Sequence, residues 1–257
     1  VGLIAPFLAY PVFLMKVLCF ALFACAFNLL LGYAGLLSFG HAAFLATGGY
    51  VTGYLLASYP GLTPELGIIA GTVMATLLGV LFGVLSIRRQ GIYFAMITLA
   101  LSQMFFFYCV QSAWTHGEDG IQSVPRGHLF GIIDLNVTTN MYFFVLAVFL
   151  IGIAIIWRFV NSPFGMILKS IRENEQRTVS LGYAVDRYKL GAFVMSAALA
   201  GLAGGLKAIV FEFATLTDVA WQMSGEVILM TLLGGIGTMI GPVVGASLVV
   251  TLQNELA

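Results

Sequence analysis

The sequence predicts an all-α, polytopic membrane protein, and three observations predict it. Hydrophobic residues make up 60% of the chain and charged residues only 9%, with a mean hydropathy of +1.02; a soluble domain carries about 25% charged residues. Several apolar runs reach the ~20 residues that a helix needs to cross a bilayer. Glycine-rich polar interruptions punctuate those runs, and irregular backbone at membrane depth has to line a cavity or be buried in protein. The net charge of zero implies no nucleic-acid partner. Cys19, Cys25 and Cys109 all fall in apolar runs and read as small core hydrophobes, with no disulfide or metal spacing.

In chain order, VGLIAPFLAYP reads as the tail of an earlier span, and the chain stops inside a helical run, so residues are expected to be missing at both ends. The first clear span is residues 11–31. Gly32, Gly35, Gly40 and Ser38 then break the helical run, and a second span covers 42–58, ended by Pro60, Gly61 and Pro64. A third runs over 65–87 and is closed by Arg88 and Arg89; a fourth follows Gln90 and Gly91 over 92–113. The 114–139 loop is polar, with Gly117, Gly120, Pro125 and Gly127, and a fifth span covers 140–160.

The longest polar interruption is 161–190, which holds Lys169, Arg172, Arg177, Arg187 and Lys189. Ser162 and Pro163 read as an N-cap and first helical residue. Phe164, Ile167, Leu168 and Ile171 follow at i, i+3, i+4, i+7, one stripe of a short amphipathic helix. Arg172 to Gln176 form a polar knot, and Gly182 is a helix stop. This elbow is either a solvated loop at the membrane surface or a docking helix for a cytoplasmic partner. A sixth span covers 191–211, followed by a polar piece with Glu212, Thr215, Thr217 and Asp218. Two last apolar runs, 223–233 and 241–256, flank Gly234, Gly235 and Gly237.

Lysine and arginine in the loops set the orientation. Arg88, Arg89 and Arg158 share a side with the elbow, which is therefore cytoplasmic; the 114–139 loop, with Glu118, Asp119, Asp134 and a lone Arg126, faces outward. The G-x-x-G spacing at 32/35, 201/204 and 234/237 marks either an internal repeat or close helix packing through small residues.

No G-x-x-x-x-G-K-[ST] loop and no H-E-x-x-H is present, and His41, His116 and His128 lie far apart, so an enzyme reading has nothing to stand on. Glu226 is the most informative residue, because a carboxylate at mid-membrane costs at least ~2.5 kcal/mol unless it meets water or a partner. Lys207 either pairs with it or snorkels outward. Ser38 and His41 could bind a solute or satisfy backbone groups freed by the break. Thr98 and Gln103 could line a polar path or bond between helices.

Several motifs are familiar. LLLGYAGLLSFGHAAFLATGGY (29–50), GIYFAMITLALSQM (91–104), the elbow with its following helix (162–206) and WQMSGEVILMTLLGGIGTMIGPVVGA (221–246) resemble the permease subunits of bacterial branched-chain amino-acid ABC importers. The likeness covers nearly the whole chain in order and is closer to the "M" type of the two paired permeases. It implies a single transmembrane permease domain over 1–257, with a broken, glycine-rich helical core similar to that of vitamin B12-type importers, in the bacterial cytoplasmic (inner) membrane. It implies a second related permease, two cytoplasmic ATPase subunits that carry ATP and Mg, and an extracytoplasmic solute-binding protein; this chain itself would hold no cofactor. The elbow (161–190) would be the coupling segment, through Phe164, Ile167, Ile171, Arg172, Glu173, Asn174 and Glu175. Ser38, His41, Thr98, Gln103 and Glu226 would line the path, and Gly32, Gly35, Gly40, Gly234, Gly235 and Gly237 would break its helices. THGEDGIQ (115–122) departs from the more glycine-rich loop of relatives, which puts receptor seating in doubt. The same family includes relatives that move urea or short amides. A secondary transporter driven by an ion gradient is the reading from another class, with Glu226 its one well-placed acid.

Overall fold

The computed structural model describes residues 10–59, 61–89, 91–129 and 133–256. The proposed tail of an earlier span, and Pro60 and Gln90 as punctuation, lie largely or wholly outside them. The helices are α1 (Pro11–Asn28), continued by a π-helical segment (Leu29–Ala34); α2 (His41–Ser58); α3 (Pro64–Ser86); and α4 (Ile92–Gln111). They continue as α5 (Thr138–Val160), the elbow pair α6 (Pro163–Glu173) and α7 (Glu175–Ser180), α8 (Val185–Phe211), α9 (Trp221–Gly234) and α10 (Gly241–Leu256). Proline supplies the first residue of α1, α3 and α6, where its missing N–H has no partner to lose. Among the described residues the only strands are two-residue pieces: β1 (Ile121–Gln122) pairs with β4 (Phe213–Ala214), and β2 (His128–Leu129) with β3 (Ile133–Asp134), both antiparallel.

Among the described residues five helices are long and apolar enough to cross a membrane: α1 with its π segment, α3, α4, α5 and α8. At 14 and 16 residues, α9 and α10 reach only ~21–24 Å at 1.5 Å per residue, short of a ~30 Å hydrocarbon core. The β1–β4 pairing puts the 114–139 loop at the end of α8 remote from the elbow. The basic loops therefore share one end of the bundle, as the positive-inside pattern requires.

The core is α1, α2 and α8, all largely buried; α3, α4 and α5 wrap them and turn apolar side chains such as Leu77, Leu81, Met104, Phe107, Leu150 and Ile151 outward. In lipid the last set needs no protein partner, so association rests on close packing of small residues. A Cβ on Gly48 would strike the Gly201 carbonyl, one on Gly204 the Leu45 carbonyl, and one on Gly201 the Ala75 methyl. The 201/204 member of the recurring glycine spacing is thus a helix-packing seam between α8 and its neighbours α2 and α3.

Two elements differ from the sequence reading. α8 begins at Val185 rather than near 191, because Asp186, Arg187 and Lys189 mask its first turns as polar, whereas Lys189 is buried against Glu175 at 2.6 Å. The polar knot is a helix junction: Asn174 is extended (φ −156°), and its side chain accepts from the Arg177 N–H to start α7.

Gly204→Val should cost about 1–3 kcal/mol by overpacking and lower the thermal midpoint of the purified protein in detergent. Gly225→Ala, whose methyl meets nothing within 4 Å inside α9, should hold or slightly raise that midpoint, because alanine favours a helix interior over glycine.

Candidate translocation site and cytoplasmic elbow

Between α1 and α2 the chain leaves the helix through Gly35, which takes a left-handed conformation (φ 71°). Residues 36–40 then pass along the bundle with Leu36, Ser38 and Gly40 buried and Leu37 exposed, and amides freed inside it need partners. The Phe39 N–H donates to Thr98 Oγ1 (3.2 Å), the Gly40 N–H to Ser38 Oγ (3.2 Å) and the Ala42 N–H to Ser224 Oγ (3.0 Å). Thr98 Oγ1 in turn donates to the Ala95 carbonyl at 2.9 Å. A Cβ on Gly40 would lie 2.8 Å from the Thr98 carbonyl, so only glycine fits there.

His41 sits just inside α2, fully buried. Its Nε2 lies 2.7 Å from Ser196 Oγ, and that hydroxyl donates to the Ala26 carbonyl at 2.5 Å. A hydroxyl has one proton to give, so the imidazole Nε2 carries the hydrogen and donates to Ser196. Phe27, Phe44 and Phe193 surround the ring edge-on at 5.0–6.1 Å. Ser38 and Thr98 thus hold the break directly, whereas His41, just past it, links α2 through Ser196 on α8 to Ala26 on α1.

Gln103 and Glu226 are elsewhere and are only partly buried. Gln103 lies beside exposed Met104 on α4. Glu226 falls on the α9 stripe of Gln222, Leu229 and Leu233, which faces out of the chain, and α4 touches α9. Lys207 does not pair with Glu226, nor does it snorkel outward. It is buried, pairs with Asp218 and lies 5.6 Å from the centre of the Phe20 ring. The cause is a reversal at Glu212 (φ 63°): the chain turns back through β4 and a 3-10 turn (Leu216–Asp218) and carries Asp218 into the bundle.

At the basic end of the bundle, α6 turns its stripe inward. Leu168 and Ile171 are 1% and 3% exposed, and Phe164 packs on Phe159 and Tyr188 with ring centroids 4.8 and 5.0 Å apart. Ile167 is half-buried with them. Of the charged residues, Arg172 and Glu173 are exposed, yet Arg172 also donates to the Gly32 carbonyl; Glu175 is half-buried and pairs with Lys189. Sequence reasoning missed the elbow's exposed apolar residues, Met166 (60%), Val179 (55%) and Leu181 (69%). It also missed Asn28, whose Oδ1 accepts from the Gly237 N–H (2.9 Å) and whose Nδ2 donates to the Thr238 carbonyl (2.8 Å). A lone asparagine in an apolar span was the available signal. Gly235 (φ 102°) ends α9, and a Cβ on Gly234 would strike the Gly241 carbonyl, closing the α9–α10 turn tightly. Among the described residues no group of three or more His, Cys, Asp or Glu could hold a metal.

Broken helices held by internal hydrogen bonds, apolar outer faces and a basic elbow define a polytopic helical membrane protein of the permease class. The chain belongs to the family described as "Branched-chain amino acid transport system / permease component", which matches residues 12–256. It is 28% identical over 247 residues to the high-affinity branched-chain amino acid transport system permease protein LivM of Escherichia coli K12, and 28% over 251 residues to LivM of Salmonella typhimurium LT2. Each alignment covers 87% of this chain and 58% of the relative, so the chain spans less than two thirds of their length. No solved structure matches it significantly.

Removing one partner of the buried Lys207–Asp218 pair leaves an uncompensated charge. Asp218→Asn should therefore destabilise the protein by about 3–5 kcal/mol, and the double change Lys207→Met with Asp218→Leu should recover most of it. Detergent unfolding midpoints of the single and double variants check this.

Proposed function

We propose that this chain forms one half of the translocation path of an ATP-driven importer for branched-chain, hydrophobic amino acids. A second related permease closes the path. Two cytoplasmic ATPases bind and hydrolyse MgATP, and an extracytoplasmic binding protein delivers the solute at the outer face of the bacterial inner membrane. The faces of α4 and α9 that carry Gln103 and Glu226 border the path, with few polar groups to hold the charged ends of the solute. Tight binding is left to the soluble receptor, and an apolar side chain suits the apolar walls.

The observation that carries this reading is the elbow. Its apolar stripe is used up against its own bundle, yet Met166, Val179 and Leu181 remain exposed beside Glu173 and Arg177 at the basic end of the molecule. Exposed apolar side chains facing water on an ordered element call for a protein partner. An ATPase docked there would move the elbow as nucleotide binds, and the break beside it would switch access.

Met166→Asp with Val179→Asp should abolish co-purification of the ATPases and ATP-dependent uptake in proteoliposomes, while the binding protein still binds solute. Uptake by this chain alone under a proton gradient would instead mark a secondary transporter. Glu226→Gln should lower uptake more than it lowers the amount of inserted protein, read by transport assay against membrane immunoblot.

A further inference from the structure

Gly32 and Gly35, at the end of α1 and its π segment, and Gly237, some two hundred residues later, lie around one side chain. The Arg172 guanidinium donates through Nη1 to the Gly32 carbonyl, near the end of the π segment. The last carbonyls of a helix lack partners along the chain, and its C-terminal end favours a cation. A Cβ on Gly35 would sit 3.2 Å from Arg172 Cγ. One on Gly237 would sit 3.0 Å from Arg172 Nη1 and 3.2 Å from the Gly32 carbonyl oxygen, and one on Gly32 would sit 2.7 Å from the Gly237 nitrogen. Asn28 completes the junction by bonding both Gly237 and Thr238. The elbow, the α1–α2 break and the α9–α10 turn therefore meet at Arg172. A cleft lined in part by Tyr33, Lys169, Glu173 and Met239 opens beside this contact.

We propose that Arg172 is the internal link by which displacement of the elbow moves the α1–α2 break. It is a positioning residue for the inner gate, not a surface contact for the ATPase. The link presupposes that a cytoplasmic ATPase drives the elbow. Its hydrogen bond pulls on the carbonyl at the base of the break, and its aliphatic stem bears on Gly35, the residue whose left-handed turn starts the break. Lysine keeps the positive charge but lacks the planar, multi-donor fork that reaches the Gly32 carbonyl beside Gly237.

The test uses the whole transporter with its ATPases, reconstituted in proteoliposomes, with leucine as the probe. Arg172→Ala should keep ATPase co-purification and ATP hydrolysis but lower leucine moved per ATP by about tenfold, the scale of a lost coupling contact; Arg172→Lys should fall between. Leu37→Cys provides the conformational readout, because Leu37 is exposed and the native Cys19, Cys25 and Cys109 are buried. Its labelling by an impermeant thiol reagent should respond to nucleotide with Arg172 present and become nucleotide-independent in Arg172→Ala. Unchanged leucine per ATP, or nucleotide-responsive labelling in Arg172→Ala, overturns the link. Loss of ATPase co-purification in Arg172→Ala also overturns it, because Arg172 is then a docking contact. Should Arg172→Ala fail to accumulate, Arg172→Lys gives the same two readouts and decides. Failure of the wild-type chain to bind any ATPase sinks the transport reading itself, and is told apart by that control.

Discussion

Every backbone N–H and C=O that leaves a helix inside a membrane has to find a partner within the protein, and the rest of this structure is arranged around that constraint. The segment from Gly35 to Gly40 interrupts an apolar passage, and neighbouring helices meet its needs with single hydroxyls. Thr98 on α4 accepts from Phe39, Ser224 on α9 accepts from Ala42, and Ser38 serves Gly40 locally. The Thr98 and Ser224 hydroxyls each tie the break to a different helix. The break is thus a defined conformation rather than a slack loop, and α4 and α9 reach it with one residue each. The same residues explain why the polar atoms of this region are buried. A solute-binding role for Ser38, His41 or Thr98 requires the break to open first.

Close packing supplies the rigid part. α8 touches α2 through Gly48 and Gly204 with no room for a methyl group, and α3 through Gly201 and Gly79. Such contacts bring backbones together at little entropic cost, because glycine and alanine have no side-chain rotamers to lose. The packed unit of α2, α3 and α8 is the part least able to deform. The inner end of α1 differs: it is π-helical, ends in a left-handed glycine and is held laterally by Arg172 and Asn28.

The broad architecture was legible in the sequence because it depends on hydropathy and on loop charge. Helix positions followed from apolar runs and from Pro11, Pro64 and Pro163, and the glycines at 35 and 40 announced the break. What was not legible depends on which side chains meet. Lys207 is followed in sequence by Glu212, Asp218 and Glu226, and only the reversal at Glu212 decides for Asp218. Arg172 and Glu175 look like surface charges in a polar run. Their partners, Gly32 and Lys189, are set by how the elbow folds back on the bundle, which no local pattern records. The polar start of α8 was hidden for the same reason: Lys189 counts as a polar residue until its ion pair is seen.

The elbow has two kinds of attachment, and their difference in stiffness matters more than their number. On one side Phe164 packs on Tyr188 and against Gly191, and Glu175 pairs with Lys189, all on the first turns of α8. Those turns continue into the tightly packed core, so this side resists displacement and serves as a pivot. On the other side Arg172 holds the end of a π segment whose next residues have no continuous helical ladder. A π turn repeats its hydrogen bonds less favourably than an α turn and occurs at sites that rearrange. In the proposed coupling, a force applied to the exposed side of the elbow would therefore be resisted at α8 and would yield at the break. Because Thr98 and Ser224 hold the far end of that break, any yielding reaches α4 and α9, the two helices whose outward faces carry Gln103 and Glu226.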